Sequence, residues 1–308
     1  MINMKKLLHI AAVTMIFIMF VVVTGCETNN DNNSISNIPE GAIVGVFSIS
    51  ASQKIYFSQG NLQYRASTNT WRFAENQYDY VGYDNSNISS SYNGWIDLFG
   101  WGTSGYDQGA VSYQPWSRSM TDSDYYAYGL YTFNLNDQTG MADWGYNAIC
   151  NGGNITNKWR TLTVDEWMYV LNCRITRSGI RYAKAQVNNV NGVILLPDDW
   201  SVGTYSINSY NTPEANFTTN VINLSNWNII EDAGGVFLPA AGYRLGTTVD
   251  NVGSCGDYWS ASFRDRDSAR YLWFKTSVLS PLSCDYREYG FSVRLVCSAN
   301  INYRMFER

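Results

Sequence analysis

DYWSASFRDRDSARYLWFKTSVLSPLSCDYREYGFSVRLV, residues Asp257 to Val296, is the stretch on which the reading of this chain turns. Short apolar anchors, Tyr258-Trp259, Leu272, Phe274, Val293, Leu295 and Val296, alternate with polar and aromatic runs, the pattern of a scaffold that presents loops. Between Phe263 and Tyr289 nine of 27 residues are charged (Arg264, Asp265, Arg266, Asp267, Arg270, Lys275, Asp285, Arg287, Glu288), against 15% for the whole chain. Asparagine, frequent elsewhere, is absent from Val252 to Ala299. The charges are mixed in sign and interleaved with Phe263, Tyr271, Trp273, Tyr286 and Tyr289, and Tyr, Trp and Arg are the residues in which binding energy concentrates. The same features also describe the solvated edge of an ordinary domain.

Three strands are expected to close the chain, Tyr258 to Ser262, Arg270 to Thr276 and Phe291 to Cys297. Alternation along the second sets Arg270, Leu272 and Phe274 on one side and Tyr271, Trp273 and Lys275 on the other. Working backwards, Val236-Phe237-Leu238-Pro239 reads as a buried strand, and a helix beginning at Ser225 stops before Gly234-Gly235. Thr163-Val164-Asp165-Glu166 is a capping box, and Trp167, Val170 and Leu171 then share one face of a helix from Val164 to Cys173. Gly94 to Thr103 packs Trp95, Phe99 and Trp101 between glycines, as in a compact, internally packed loop, with Asp97 held by backbone amides. Val44 to Ser50 and Lys54 to Phe57 predict two strands joined at Ala51-Ser52-Gln53, with Val46, Ile49, Ile55 and Phe57 inward.

The amino terminus reads as an export signal. Lys5 and Lys6 precede an apolar run from Leu7 to Val23, and Val23-Thr24-Gly25-Cys26 resembles a bacterial lipobox, which implies acylation of Cys26. The same run is nearly long enough for an uncleaved membrane anchor. On this reading residues 1–25 are a lipoprotein signal peptide, 26–42 a flexible tether poor in apolar residues, 43–298 a single domain with insertions, and 299–308 a polar tail. The expected location is the outer membrane or cell surface, lipid-anchored after export.

A net charge of -5 with 21 basic residues argues against nucleic acid. The 23 tyrosines and 11 tryptophans suit sugar or polymer binding, and equally a β-rich core. With Cys26 acylated, Cys150, Cys173, Cys255, Cys284 and Cys297 leave an odd number outside the cytoplasm, at spacings that match no zinc pattern, and lone buried thiols are expected for most. The single histidine, His9, lies in the signal, so the mature chain has no imidazole for Ser-His or Cys-His catalysis.

Arg160-Thr161-Leu162-Thr163-Val164-Asp165-Glu166-Trp167-Met168-Tyr169 resembles a helix start of the formylglycine-generating (sulfatase-modifying) superfamily. Gly235 to Arg244 (GVFLPAAGYR), Tyr258-Trp259-Ser260-Ala261-Ser262 and Gly290 to Val296 (GFSVRLV) resemble its Fibrobacter succinogenes major paralogous domain branch. The resemblance implies an α+β fold of C-type-lectin-like (formylglycine-generating-enzyme-like) type, with short strands, two main helices and long loops. Val44 to Gly153 resembles the amino-terminal part of surface lipoproteins from Bacteroidetes. Oxidase members of the superfamily bind copper through two cysteines close together. Here only Cys284 and Cys297 are available, thirteen apart, so the resemblance does not extend to that activity. Nor does the chain carry the carboxylate-amide motifs of lectin calcium sites. No cofactor or catalytic metal is expected, although the fold leaves room for a structural calcium ion.

The closing stretch also resembles the variable region of proteins diversified by retroelements, which mutate adenines and so scatter asparagine codons. The missing asparagines and Phe263-Arg264-Asp265-Arg266-Asp267-Ser268 fit that pattern, whereas Trp273, Lys275 and Glu288 do not. The expected function is therefore non-enzymatic: a surface lipoprotein displaying a diversified binding face for a protein or glycan on another cell, phage or host surface. The candidate face comprises Phe263, Arg264, Asp265, Arg266, Asp267, Ser268, Arg270, Tyr271, Trp273, Ser283, Asp285, Tyr286 and Tyr289. The alternatives are a non-diversified adhesin, an appendage-tip subunit, and a hydrolase using Asp198-Asp199, Asp165-Glu166 or Glu231-Asp232.

Overall fold

The structure, a computed structural model, describes residues 38–106, 113–127, 133–137 and 139–299. The expected signal peptide, Cys26, most of the tether and all but the first residue of the polar tail lie outside the described residues. Along the chain run β1 (Phe47–Ser48), β2 (Lys54–Phe57), β3 (Leu62–Arg65), β4 (Thr70–Phe73), β5 (Arg160–Thr161), α1 (Val164–Met168), β6 (Tyr182–Val187), β7 (Val190–Leu195), β8 (Val221–Ile222), α2 (Leu224–Asp232), β9 (Val236–Pro239), β10 (Tyr243–Leu245), β11 (Thr248–Asp250), β12 (Cys255–Phe263), β13 (Ser268–Lys275), β14 (Val278–Tyr286) and β15 (Leu295–Ser298). This is a mixed α+β protein, mostly short strands in several small sheets with few helices.

Local chemistry accounts for the main elements. The capping box forms as its residue types require: Thr163 Oγ1 accepts from the Glu166 amide at 3.2 Å, and Glu166 Oε2 accepts from the Thr163 amide at 2.9 Å. After Met168 the helix widens into one π-helical turn, Tyr169–Cys173. Helix α2 starts one residue earlier than the sequence implies, because Asn223 rather than a serine caps it, Oδ1 accepting from the Asn226 amide at 2.9 Å. It stops at Asp232, and two residues on Gly234 stands in the left-handed region (φ +88°), where a side chain would collide with the backbone of Gly45. Asn188 and Asn189, both at positive φ, form the two-residue turn that pairs β6 with β7.

The sheets are β1-β2-β15-β5, β8-β6-β7-β9, the hairpins β3-β4 and β10-β11, and the antiparallel β12-β13-β14. The third closing strand differs from expectation. β15 lies between β2 and β5, and the partner of β13 is β14, a stretch the sequence reading left as loop. Pro281 hid it. The register shifts between Tyr271↔Ser283 and Trp273↔Ser280, and the proline sits in that bulge on an edge strand, where no ladder amide is required. The strand expected over Val44 to Ser50 shrinks to Phe47–Ser48, the residues with ladder partners in β2.

β12-β13-β14 is packed on both faces. Trp259 and Tyr271 join a cluster with Trp71, Trp101, Trp144 and Phe291, while Tyr258, Leu272 and Phe274 join another with Phe57 and Trp167. The Gly94 to Thr103 segment docks on it through reciprocal indole bonds, Trp101 Nε1 to the Ser260 carbonyl (2.9 Å) and Trp259 Nε1 to the Phe99 carbonyl (2.7 Å). Buried Asp97 accepts from the Val81 backbone amide, as expected, and also from the side-chain amide of Asn85. Burial raises its pKa to about 6 against those bonds.

Three fully buried arginines tie loops to this frame. Arg244 donates to the Leu98 and Gly246 carbonyls, Arg294 to Gln77 and the Phe237 carbonyl, and Arg287 to the Tyr126 and Asp265 carbonyls. Two of them are the arginines of the GVFLPAAGYR and GFSVRLV stretches, so those stretches serve the scaffold.

Candidate binding site on the three-stranded sheet

Paired residues of an antiparallel ladder project to the same side, and successive residues alternate. The register sets Cys255 opposite Lys275, Asp257 opposite Trp273, Trp259 opposite Tyr271, Tyr271 opposite Ser283 and Ala269 opposite Asp285. One face of the sheet therefore carries Cys255, Asp257, Tyr271, Trp273, Lys275, Ser283 and Asp285 together. Against it lies a pocket of about 400 Å³ whose floor includes Asp257, Tyr271 and Trp273, and whose walls include Tyr243, Asp285 and Tyr289.

The walls form an unbroken run of aromatic rings. Tyr243 meets Tyr289 at 5.7 Å between centroids, Tyr289 meets Phe291 at 5.8 Å, Phe291 meets Tyr271 at 4.6 Å, and Tyr271 meets Trp259 edge-on at 5.9 Å. On the other side the Lys275 ammonium stands 5.0 Å from the Trp273 ring.

Into this apolar surround the sheet sets two carboxylates. Asp257 is 3% exposed, and its Oδ2 meets no hydrogen-bond donor among the described residues. Burial raises its pKa to about 7, the Cys255 thiol opposing by hydrogen bonding to the carboxylate and the neighbouring charge of Asp285 adding to the rise. The thiol in turn accepts from Trp273 Nε1 at 3.0 Å, and burial, then Asp257, push its pKa up. Asp285 Oδ1 accepts from the Tyr286 amide at 2.9 Å, and burial raises its pKa as well. Burial, followed by Asp257 and Asp285, keeps the Tyr271 phenol protonated far above neutrality. The pocket thus offers two carboxylates and aromatic faces, with donors in its neutral tyrosine phenols and in Lys275, Asn251 and Thr276.

The candidate residues divide into two groups. Tyr271, Trp273, Asp285 and Tyr289 line the pocket. Arg264, Asp265, Arg266, Asp267 and Ser268 form the β12-β13 turn at the far end of β13, with Tyr286, 51% exposed, across from Ser268. Several are buried or turned away, where a binding face would expose them. Tyr271 is 7% exposed, because the rings of Trp259 and Phe291 hold it as floor rather than rim. Ser268 is buried and donates to Asp265 Oδ1 at 2.7 Å, and the same oxygen accepts from the Asp267 and Ser268 amides, so Asp265 builds the turn. Phe263 packs against the aromatic core. Arg270 belongs to the face of Leu272 and Phe274, at an end of the strand where it reaches the Leu282 carbonyl at 2.9 Å. Ser283, half-buried, shares the pocket's face through its pairing with Tyr271. Asp257, Cys255 and Tyr243 were missed. The signal was an acid two residues before Trp259 inside an apolar strand.

The other carboxylate pairs hold structure together. Glu166 makes a two-pronged ion pair with Arg160 besides capping α1, Asp198 binds buried Arg174 at 3.0 Å and the Ser48 amide at 3.1 Å, and Glu231 accepts from Gln77. All five described cysteines are free thiols. Only Cys255 and Cys297 are buried, whereas Cys150 and Cys173 are exposed, contrary to the expectation that most are buried. Among the described residues no cluster of three or more His, Cys, Asp or Glu is gathered for a metal ion, and no helix is long and apolar enough to cross a membrane.

The chain matches no known family model, curated protein or solved structure.

Proposed function

We propose that this protein is a lipid-anchored binding protein of the cell surface, exported by residues 1–25, acylated on Cys26, and displaying a C-type-lectin-like domain whose ligand enters the pocket on β12-β13-β14. The observation that carries this reading is the convergence of Tyr271, Trp273, Asp285 and Tyr289 on one pocket with a buried carboxylate, Asp257, whose Oδ2 meets no donor among the described residues. Concave sites with apolar walls and a few convergent polar groups are where small ligands and side chains bind. On this reading the partner is a protein or glycan on another cell, phage or host surface. Exposed Arg264, Arg266 and Tyr286, together with half-buried Trp273, Ser283 and Asp285, supply positions at which retroelement diversification would alter specificity without touching the buried arginines.

The test compares wild-type protein and a Trp273→Ala/Tyr289→Ala double variant, both immobilised, against solubilised surface extracts, with folding checked by circular dichroism. Capture of a defined ligand that the folded double variant loses supports the reading. Equal capture by both proteins moves the site elsewhere, and turnover of an aryl glycoside in place of capture makes the protein an enzyme.

A further inference from the structure

The chemistry of the pocket, taken on the reading above, says what kind of group enters it. A neutral sugar brings no charge to a carboxylate, whereas this pocket holds two carboxylates against one ammonium. Among the described residues Asp257 Oδ2 lacks a donor, Asp285 receives one backbone amide, and the indole N–H of Trp273 is spent on the Cys255 sulfur. The phenols of Tyr243, Tyr271 and Tyr289 remain neutral. With both acids ionised and Lys275 at the edge of the pocket, these three charged side chains sum to -1. Aromatic rings present negative faces, which attract cations within about 6 Å of the centroid.

We propose that this pocket takes an organic cation, the guanidinium or ammonium head of an arginine or lysine side chain on a protein partner, with Asp257 and Asp285 as its counter-charges and the Tyr243, Tyr289 and Trp273 rings around its stem. Two features support a side chain over a bare metal ion: five of the twelve residues lining the pocket are aromatic, and among the described residues no group of three or more His, Cys, Asp or Glu is placed to hold a metal. Lys275 already shows the interaction in part, its ammonium resting against Trp273 from outside.

The pH dependence follows from the groups that face Asp257, namely Cys255 on its own strand, Tyr271, Trp273 and Lys275 on β13, Asp285 on β14, and Tyr243 and Tyr289 across the opening. A cation selects the ionised form of Asp257, whose pKa in the empty pocket is about 7. Between pH 8 and pH 6 the ionised fraction falls about tenfold, and affinity falls with it.

The experiment titrates the folded protein with N-acetyl-arginine N-methylamide and, separately, with its neutral isostere N-acetyl-citrulline N-methylamide and with methyl glucoside, following tryptophan fluorescence and calorimetry. The expected result is saturable binding of the arginine derivative, at least tenfold weaker binding of the citrulline derivative, about tenfold loss from pH 8 to pH 6, and at least tenfold loss in Asp257→Asn and Asp285→Asn. Arg177→Ala, an exposed basic residue outside both the pocket and the candidate face, leaves binding unchanged. Equal binding of the two amino-acid derivatives, or binding of the glucoside alone, overturns the proposal, as does the absence of any binding. Circular dichroism and urea unfolding of Asp257→Asn separate a loss of binding from a loss of fold. If wild-type protein captures its surface ligand and Asp257→Asn captures it equally well, the cation assignment fails while the binding-protein reading stands. If wild-type protein captures nothing, that reading fails.

Discussion

Replacing Asp257 by asparagine makes the protein more stable at pH 8 and leaves it almost unchanged at pH 4. In the folded chain the Asp257 carboxyl ionises at about 7, against an ordinary value of 3.8, chiefly because it is buried and secondarily because Asp285 is close. Below pH 3.8 the side chain is protonated in both folded and unfolded protein, so its position carries no electrostatic penalty there. As pH rises through this interval the unfolded chain releases the proton while the folded chain keeps it, and stability falls. Above pH 7 both are ionised and the full penalty is in place. At 1.36 kcal/mol per pKa unit the roughly three-unit rise corresponds to about 4 kcal/mol, the ceiling on what the neutral carboxamide recovers. Glu288 and Asp97, which burial also moves to about 7 and about 6, titrate in both proteins and cancel in the difference. The assay is urea unfolding of both proteins from pH 4.5 to pH 8, read by tryptophan fluorescence. A stability difference that stays flat with pH, or an asparagine variant that is the weaker one at pH 8, refutes the argument that Asp257 is a buried acid without a compensating partner.

Asp198→Ala strands the Arg174 guanidinium, which is fully buried and bonded to Asp198 at 3.0 Å; it is expected to cost about 3–5 kcal/mol by the same unfolding measurement at pH 7. In native protein a water-soluble thiol reagent labels exposed Cys150 and Cys173 quickly, and reaches buried Cys255 and Cys297 only after denaturant is added, a contrast that peptide mapping reads directly.

Local signals carried the elements whose cause is local. The Thr163-Glu166 capping box and the Gly234-Gly235 stop need no knowledge of the rest of the chain, and both helices appear close to where their residues put them. Alternation in β13 likewise separated Leu272 and Phe274 from Tyr271 and Trp273 correctly. β14 was unreadable because its proline is tolerated only through a bulge opposite β13, which is a property of the pair and not of either strand. The pocket was half readable for the same reason. Tyr271, Trp273 and Asp285 announce themselves by composition, but Asp257 matters because the ladder sets it beside Trp273, and Tyr243 because it packs on Tyr289. The turn at Arg264 to Ser268 misled in the opposite sense. It has the composition of a binding loop, yet Asp265 is consumed by its own backbone.

That contrast also bears on which positions can vary. The turn is clamped by Arg287, whose guanidinium holds the Asp265 and Tyr126 carbonyls and lies 4.9 Å from the Trp101 ring, so its backbone is fixed by a residue outside the turn. Side chains at Arg264 and Arg266 can then change at little cost, as exposed substitutions generally do, within about 0.5 kcal/mol. Asp257 has no such support: among the described residues nothing donates to its Oδ2, and a neutral residue of the same shape would make the sheet more stable. A scaffold that spends three buried arginines on positioning its loops while leaving Asp257, like Glu288, with a buried oxygen that meets no donor among the described residues is not arranged for stability alone. Asp257 stands in an aromatic pocket, where an arriving positive charge would recover the free energy its burial withholds.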